Sequence, residues 1–419
     1  MPGPRRVDRP RTHRYFPLTT RTIPPDRTAH RVALTQRQAR PTLLAAAAFA
    51  VAAPVAAVVP HDTGSWLPLH LLLVGALLTA ISGATQLLAV TWSSSPAPGD
   101  RIVAAQRWSV VLGAVGVASG REVDLDAVTG TGALLLGVGL VLLGVILVGI
   151  RRRSSVDRFH PAIEAYVVAA AFGVAGIAMG AAIAAGDAGE WWVRLRAAHL
   201  AVNVLGLVGL VVAGTLPYFV ATQARMKMSR RASPARVRAS TTVLTLATLV
   251  AAGGHLLDRP GIAGVGLLGY ALGLVAVAAT LPVPGRRQLR WAGPRLVQLG
   301  AGAVWWLAMV VALAVVRLTD ATTEGRVLAV LAVGGFAQIL VASLAYFGPV
   351  LRAGGHQRLT AGFATTASWP GLVLANVAAV ALLVDARPVA VGAAALWAID
   401  TGWRVARLLT DDGGVEQPG

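Results

Sequence analysis

Residues 130–153 read GTGALLLGVGLVLLGVILVGIRRR. From Gly130 to Ile150 no side chain carries a charge, and Arg151, Arg152 and Arg153 then close the run. A helix rises about 1.5 Å per residue, so about 20 such residues cross the hydrocarbon core of a bilayer. An apolar stripe on one face suffices for a surface helix, whereas this run is apolar all round. The stretch therefore predicts a transmembrane helix that stops against a basic, water-facing segment.

The whole chain agrees with that reading. Its 419 residues are 55% hydrophobic and only 13% charged, against about 25% charged in ordinary soluble proteins. Mean hydropathy is +0.65. Lys and Arg number 37 against 19 Asp and Glu, a formal charge of +18. A nucleic-acid-binding domain would join such basicity to abundant polar surface, which is missing here. Disordered chains are poor in apolar residues, so disorder of the whole is excluded. The absence of cysteine excludes a disulfide scaffold, a Cys-ligated zinc or iron–sulfur centre and a thiol nucleophile.

Reading for further apolar runs gives candidate spans near 42–60, 67–92, 103–119, 130–150, 161–186, 197–222, 239–256, 260–283, 296–317, 327–350, 364–384 and 388–409. The expected fold is all-α, a polytopic membrane bundle of about 12 helices. With the N-terminus in the cytoplasm, 30 of the 37 Lys and Arg fall in inner segments and seven outside. Basic residues are retained on the cytoplasmic side during insertion, so the partition places both termini there, in the cell membrane. Residues 1–41 are rich in Arg and Pro and read as a disordered cytoplasmic arm lying near anionic lipid. Residues 410–419 form a short cytoplasmic tail. No aromatic or Gly-rich pattern interleaves the arginines of the arm, and no nucleic-acid partner is expected; protein partners are not indicated. Trp66, Trp191 and Trp192 outside, with Trp92, Trp291 and Trp403 inside, fit interfacial anchors. The GxxxG pairs Gly176/Gly180 and Gly269/Gly273 read as generic close packing.

Ionisable and strongly polar groups inside a span are costly, and each is a candidate for function. His13, His30, His160 and His356 lie in inner segments and His61 in the first outer loop. His70 at the outer start of span 2, His199 at the outer start of span 6 and His255 at the outer end of span 7 share one depth. Imidazole ligates haem iron and copper. Two readings stand: three histidines converging on a metal, or three interfacial residues bonding water and carbonyls. His199 and Asn203 are one helical turn apart on one face. Gly206 and Gly209 continue a stripe that admits either another helix or a flat macrocycle. Gln86, Gln338, Asn376 and Asp400 are the remaining notable intramembrane polar residues, and Asp400 is placed to pair with Arg404 at i+4. No Gly-x-Ser-x-Gly elbow, His-Glu-x-x-His or P-loop occurs, so neither proteolysis nor phosphoryl transfer is supported.

At these residues the chain resembles a known group. Trp66-Leu-Pro-Leu-His70-Leu-Leu-Leu-Val-Gly75 resembles the W-x-x-x-H-L-x-x-x-G opening of a span in NnrS-type proteins and in the membrane half of actinobacterial multicopper-oxidase-domain proteins. His199 to Pro217 is similar to their H-x-H-x-N-x-x-G-x-x-G-x-x-x-x-G-T segment, and Phe336 to Val350 to a late span. The three stretches cover about a tenth of the chain. The group is distantly similar to subunit I of haem–copper oxidases, so the resemblance implies a haem or copper site held by intramembrane histidines. The departures are specific. The second histidine of the H-x-H-x-N segment is Ala201, Gln86 stands where relatives often carry histidine, His255 has no adjacent histidine, and span 10 offers Gln338 and Tyr346. Oxygen reduction is therefore not expected. With no cupredoxin domain after span 12, the oxidase activity of the fused relatives is not expected either.

Three functions follow as expectations. One is a haem- or copper-binding membrane protein, with His70, His199, His255 and Asn203 at the site, tied to copper handling or to nitrosative or respiratory stress. The second is a twelve-span secondary transporter, whose two halves would be equivalent. The third is a non-catalytic assembly subunit.

Overall fold

Inside a bilayer each backbone N–H must find its acceptor within its own segment, which leaves the apolar runs of this chain one economical conformation. The computed structural model describes residues 25–186, 189–319, 323–352 and 355–410, and every regular element among them is helical. Helix 1 is Pro25–Val58. Helix 2 is Trp66–Ser93, helix 3 Asp100–Glu122, helix 4 Asp126–Arg152, helix 5 Asp157–Ala184 and helix 6 Trp192–Gln223. Helix 7 is Pro234–Leu256, helix 8 Pro260–Ala278, helix 9 Pro294–Thr319 and helix 10 Glu324–Leu351. Helix 11 is broken into Gly355–Thr366 and Trp369–Leu383, and helix 12 is Arg387–Thr410. Prolines at the first turn open helices 7 and 8, where their missing N–H has no partner to lose. Ser233 and Ser368 cap helix 7 and the second part of helix 11 through their hydroxyls, each satisfying an otherwise unpaired N–H.

Eleven of these helices are long and apolar enough to cross a membrane, and the chain is a multi-pass integral membrane protein. Large apolar side chains on the bundle surface, such as Leu134, Val265, Leu272 and Val304, form the lipid-facing wall. Helix 12, expected at 388–409, is helical over 24 residues but less apolar, because it carries Asp400, Arg404 and Arg407. Its Leu396, Ile399 and Trp403 nonetheless face outward. Asp400 and Arg404 make the expected i+4 ion pair at 3.0 Å. Ser368 donates to Asp400, while Arg404 donates to the carbonyls of Thr365 and Ala367 at the break in helix 11. The pair thus closes backbone groups that the break leaves open.

Helix 1 departs from expectation. It begins at Pro25, so residues 25–41 of the expected arm are helical and continuous with the span; residues 1–24 and 411–419 lie outside the described residues. Thr35, Gln38, Ala39 and Thr42 are buried, one stripe at helical spacing. Gln38 donates to the Pro98 carbonyl and to Asp100, Arg37 pairs with Asp100 at 2.9 Å, and Arg31 donates to the Ser94 carbonyl. These bonds seat the extension on the link between helices 2 and 3. Helices 3 and 4 approach so closely that a Cβ on Gly120 would lie 2.5 Å from the Thr129 nitrogen, and one on Gly132 2.5 Å from the Val117 nitrogen. Only glycine permits that spacing.

The interior is organised in steps of four helices. Helices 2, 6 and 10 are the most buried, with 72%, 94% and 67% of their apolar windows inside the bundle, against 22–50% for the other eight. The same three helices each widen into a π-helical segment, Leu71–Leu78, Ala201–Gly209 and Leu331–Ala337. Such widenings break the regular hydrogen-bond ladder and are frequent at functional sites. In helix 6 the Leu205 carbonyl within the widening accepts from the buried Tyr270 hydroxyl at 2.9 Å.

Candidate functional site

His70 stands immediately before the π segment of helix 2, and His199 two residues before that of helix 6. His70 Nδ1 lies 2.9 Å from the Trp66 carbonyl one turn back, and its ring stacks on Trp66 with centroids 3.9 Å apart. A carbonyl only accepts, so Nδ1 carries the proton and Nε2 keeps a lone pair. His199 repeats the arrangement across two helices: its Nδ1 donates to the Gly176 carbonyl of helix 5 at 2.7 Å. Asn203 donates back to the His199 carbonyl at 2.9 Å. Among the described residues neither Nε2 has a hydrogen-bond partner. A ring N–H fixed by a carbonyl is the usual way a ligating histidine is oriented. His199 lies close enough to His70 to act on it electrostatically.

The neighbour that accommodates His199 is helix 5. A Cβ on Gly180 would sit 2.8 Å from His199 Cε1, and one on Gly176 would overlap the Asn203 carboxamide. This GxxxG pair therefore houses two polar side chains. At the second pair, a Cβ on Gly269 meets only Ala247 Cβ at 3.6 Å, an ordinary contact. The stripe expected to admit a helix or a macrocycle is filled by protein. Gly206 abuts the Phe172 ring, and Gly209 abuts Tyr270 and Trp306. Gly75 is covered by Phe49 of helix 1.

His255 does not join the other two. At the end of helix 7 its charged neighbour is Arg317, itself paired with Glu324. Among the described residues no three His, Asp or Glu side chains come together as a metal-ligand set. In helix 10, the Gln338 carboxamide meets Asn376 at 3.5 Å, and Trp305 Nε1 donates to Asn376 Oδ1 at 2.9 Å. Gln86 belongs to a buried network: Gln106 Oε1 accepts from Gln86 Nε2 at 3.0 Å and from Ser82 at 2.8 Å, and Gln106 donates to the Gly139 carbonyl, while Gln86 Oε1 has no partner. Outside the spans, His61 bonds the Val59 and Gly64 carbonyls through both ring nitrogens, which raises its pKa above the ordinary imidazole value.

The sequence did not point to Trp66 as the platform for His70, since a tryptophan at a span end reads as an interfacial anchor. The i, i+4 spacing of Trp66 and His70 was the available signal. Nor did it indicate Gly176, which contributes a carbonyl rather than a side chain. Arg295 and Gln298, taken as ordinary residues of an inner segment and a span, are both buried and line one cavity. No protein-family model matches the chain, and no curated protein matches it.

The donors fit copper better than haem. Two imidazoles with free Nε2 lone pairs are present, and affinity for imidazole sites peaks at copper among the divalent first-row metals. A macrocycle finds no room along Gly206 and Gly209, and the third histidine is absent from the pair.

Proposed function

We propose that this chain is a twelve-span protein of the cell membrane, both termini cytoplasmic, that binds a copper ion through His70 and His199 near its outer face. The observation that carries the reading is the shared state of the two imidazoles: each Nδ1–H is tied to a carbonyl, so both Nε2 atoms are left as donors. Asn203 holds the His199 turn in place. The resemblance of the Trp66–Gly75 and His199–Pro217 stretches to NnrS-type and multicopper-oxidase-associated membrane proteins supports a role in copper handling or nitrosative stress. The recurrence of π segments at every fourth helix supports an oxidase-like plan over a transporter of two equivalent halves, whose recurrence would fall at every sixth.

The test is metal analysis and optical spectroscopy of purified protein, before and after incubation with copper or haem. About one copper per chain is expected, lost in His70→Ala and His199→Ala and kept in His255→Ala. A Soret band that disappears in the same two variants would identify haem in place of copper. Folded protein that takes up neither overturns the reading.

A further inference from the structure

A cavity of about 530 Å³ lies among helices 1, 2, 9, 10, 11 and 12, within the range of about 300–1,000 Å³ common for ligand pockets. Its walls run from Arg40 and Arg352, at the arginine-rich end, to Val58 and Val391 at the other. The separation of Arg40 and Val58 along helix 1 corresponds to about 27 Å, close to the thickness of the hydrocarbon core. Leu43, Val51, Leu72, Leu340, Val341 and Trp397 give it an apolar lining.

One wall is polar and unfinished. Arg295 is only 4% exposed, and its Nε and Nη2 have no hydrogen-bond partner; Gln298 is 5% exposed, and its Nε2 has none. The Arg295 guanidinium lies over the Phe363 ring at 4.2 Å, and no carboxylate pairs with it among the described residues. Asp400, the acidic group on the cavity wall, is already engaged by Arg404 and Ser368. A buried cation without a counter-charge is costly, and unpaired donors beside an apolar channel define the missing partner: an anion attached to a long hydrocarbon tail.

We infer that this cavity is a binding site for one anionic phospholipid, with the phosphate accepting from Arg295 and Gln298 and an acyl chain lying along helices 1, 10 and 12. A neutral isoprenoid quinone would use the same donors but leave the arginine charge uncompensated, so the uncompensated charge favours the phospholipid. The site is independent of the histidine pair.

The test uses the full chain in nanodiscs of equal parts phosphatidylglycerol and phosphatidylcholine, with retained lipid counted by native mass spectrometry after delipidation. The expected result is selective retention of phosphatidylglycerol, falling about tenfold or more in Arg295→Gln, as loss of a charge-assisted hydrogen bond implies. Ala395→Trp, which fills the tail channel, is expected to abolish retention while leaving Arg295 in place. Equal retention of the two lipids by the unmodified protein overturns the inference, and this comparison decides even where a variant fails to fold. Equally strong retention of dihexanoyl phosphatidylglycerol would show that the tail is not held. A retained quinone would replace the phospholipid. Either result overturns the inference as stated.

Discussion

Replacing Gly176 by alanine tests whether the first GxxxG pair serves the polar side chains of helix 6 or only close packing. The new Cβ would overlap the Asn203 carboxamide, a short side chain with little reach to move away. Overpacking of this kind costs about 1–3 kcal/mol. Displacing Asn203 also breaks its bond to the His199 carbonyl, worth about 1 kcal/mol. Alanine recovers about 1 kcal/mol of helix propensity. The net expectation is a loss of about 1–3 kcal/mol. Gly269→Ala supplies the control: its Cβ meets Ala247 at 3.6 Å, so the propensity gain stands alone at up to about 1 kcal/mol. Unfolding in mixed micelles, followed by tryptophan fluorescence, measures both changes. Equal shifts for the two variants would refute the assignment of Gly176 to Asn203 and His199.

Gln106→Leu removes the acceptor shared by Ser82 and Gln86 and is expected to cost about 2–4 kcal/mol, since it strands buried donors; the same micellar unfolding measures it. Tyr270→Phe leaves the Leu205 carbonyl of the π segment unpaired and is expected to cost about 1–3 kcal/mol. Faster amide exchange confined to helix 6 would accompany it. Arg404→Ala leaves Asp400 half-buried without its cation and is expected to destabilise more than Asp400→Asn/Arg404→Leu, which removes both charges. His61 donates to two carbonyls, so its protonated form holds the first outer loop. With its pKa raised, that clamp is complete below the ordinary imidazole value and is lost as pH rises through the raised one. Hydrogen exchange over residues 59–65, corrected for intrinsic rates, should show protection that disappears at alkaline pH and is absent throughout in His61→Ala.

Position along each helix was legible in the sequence, whereas position around the bundle was not. His70, His199 and His255 lie near one end of their helices as expected, because distance along a helix follows residue number. Which helices meet is set by side-chain shape across many contacts, and His255 therefore stood with the others in the sequence but stands beside Arg317 in space. The Arg- and Pro-rich composition of residues 25–41 suggested disorder, since composition records solubility. The spacing of Thr35, Gln38, Ala39 and Thr42 carried the helix, because periodicity records which face is buried. Charge counting placed Arg295 among ordinary inner arginines. It could not register that this one is buried, since burial depends on Phe363 and on helices distant in sequence.

The three π-bearing helices are alike in build but not in chemistry, and the difference locates function. Helices 2 and 6 each set an imidazole beside the widening, with its proton held by a carbonyl and its second nitrogen unbonded. Helix 10 has Val330 before its widening and Gln338 after it, the latter closed by Asn376 and in turn by Trp305. An amide with partners on both sides gains nothing from a ligand, whereas an oriented imidazole lone pair without a hydrogen is satisfied only by water, a donor or a metal. The recurring widening is thus preceded by an imidazole in helices 2 and 6 and by Val330 in helix 10. Next to His70, Leu69 and Leu72 of helix 2 form part of the cavity wall. Helix 2 thus contributes both His70 and part of the apolar cavity wall.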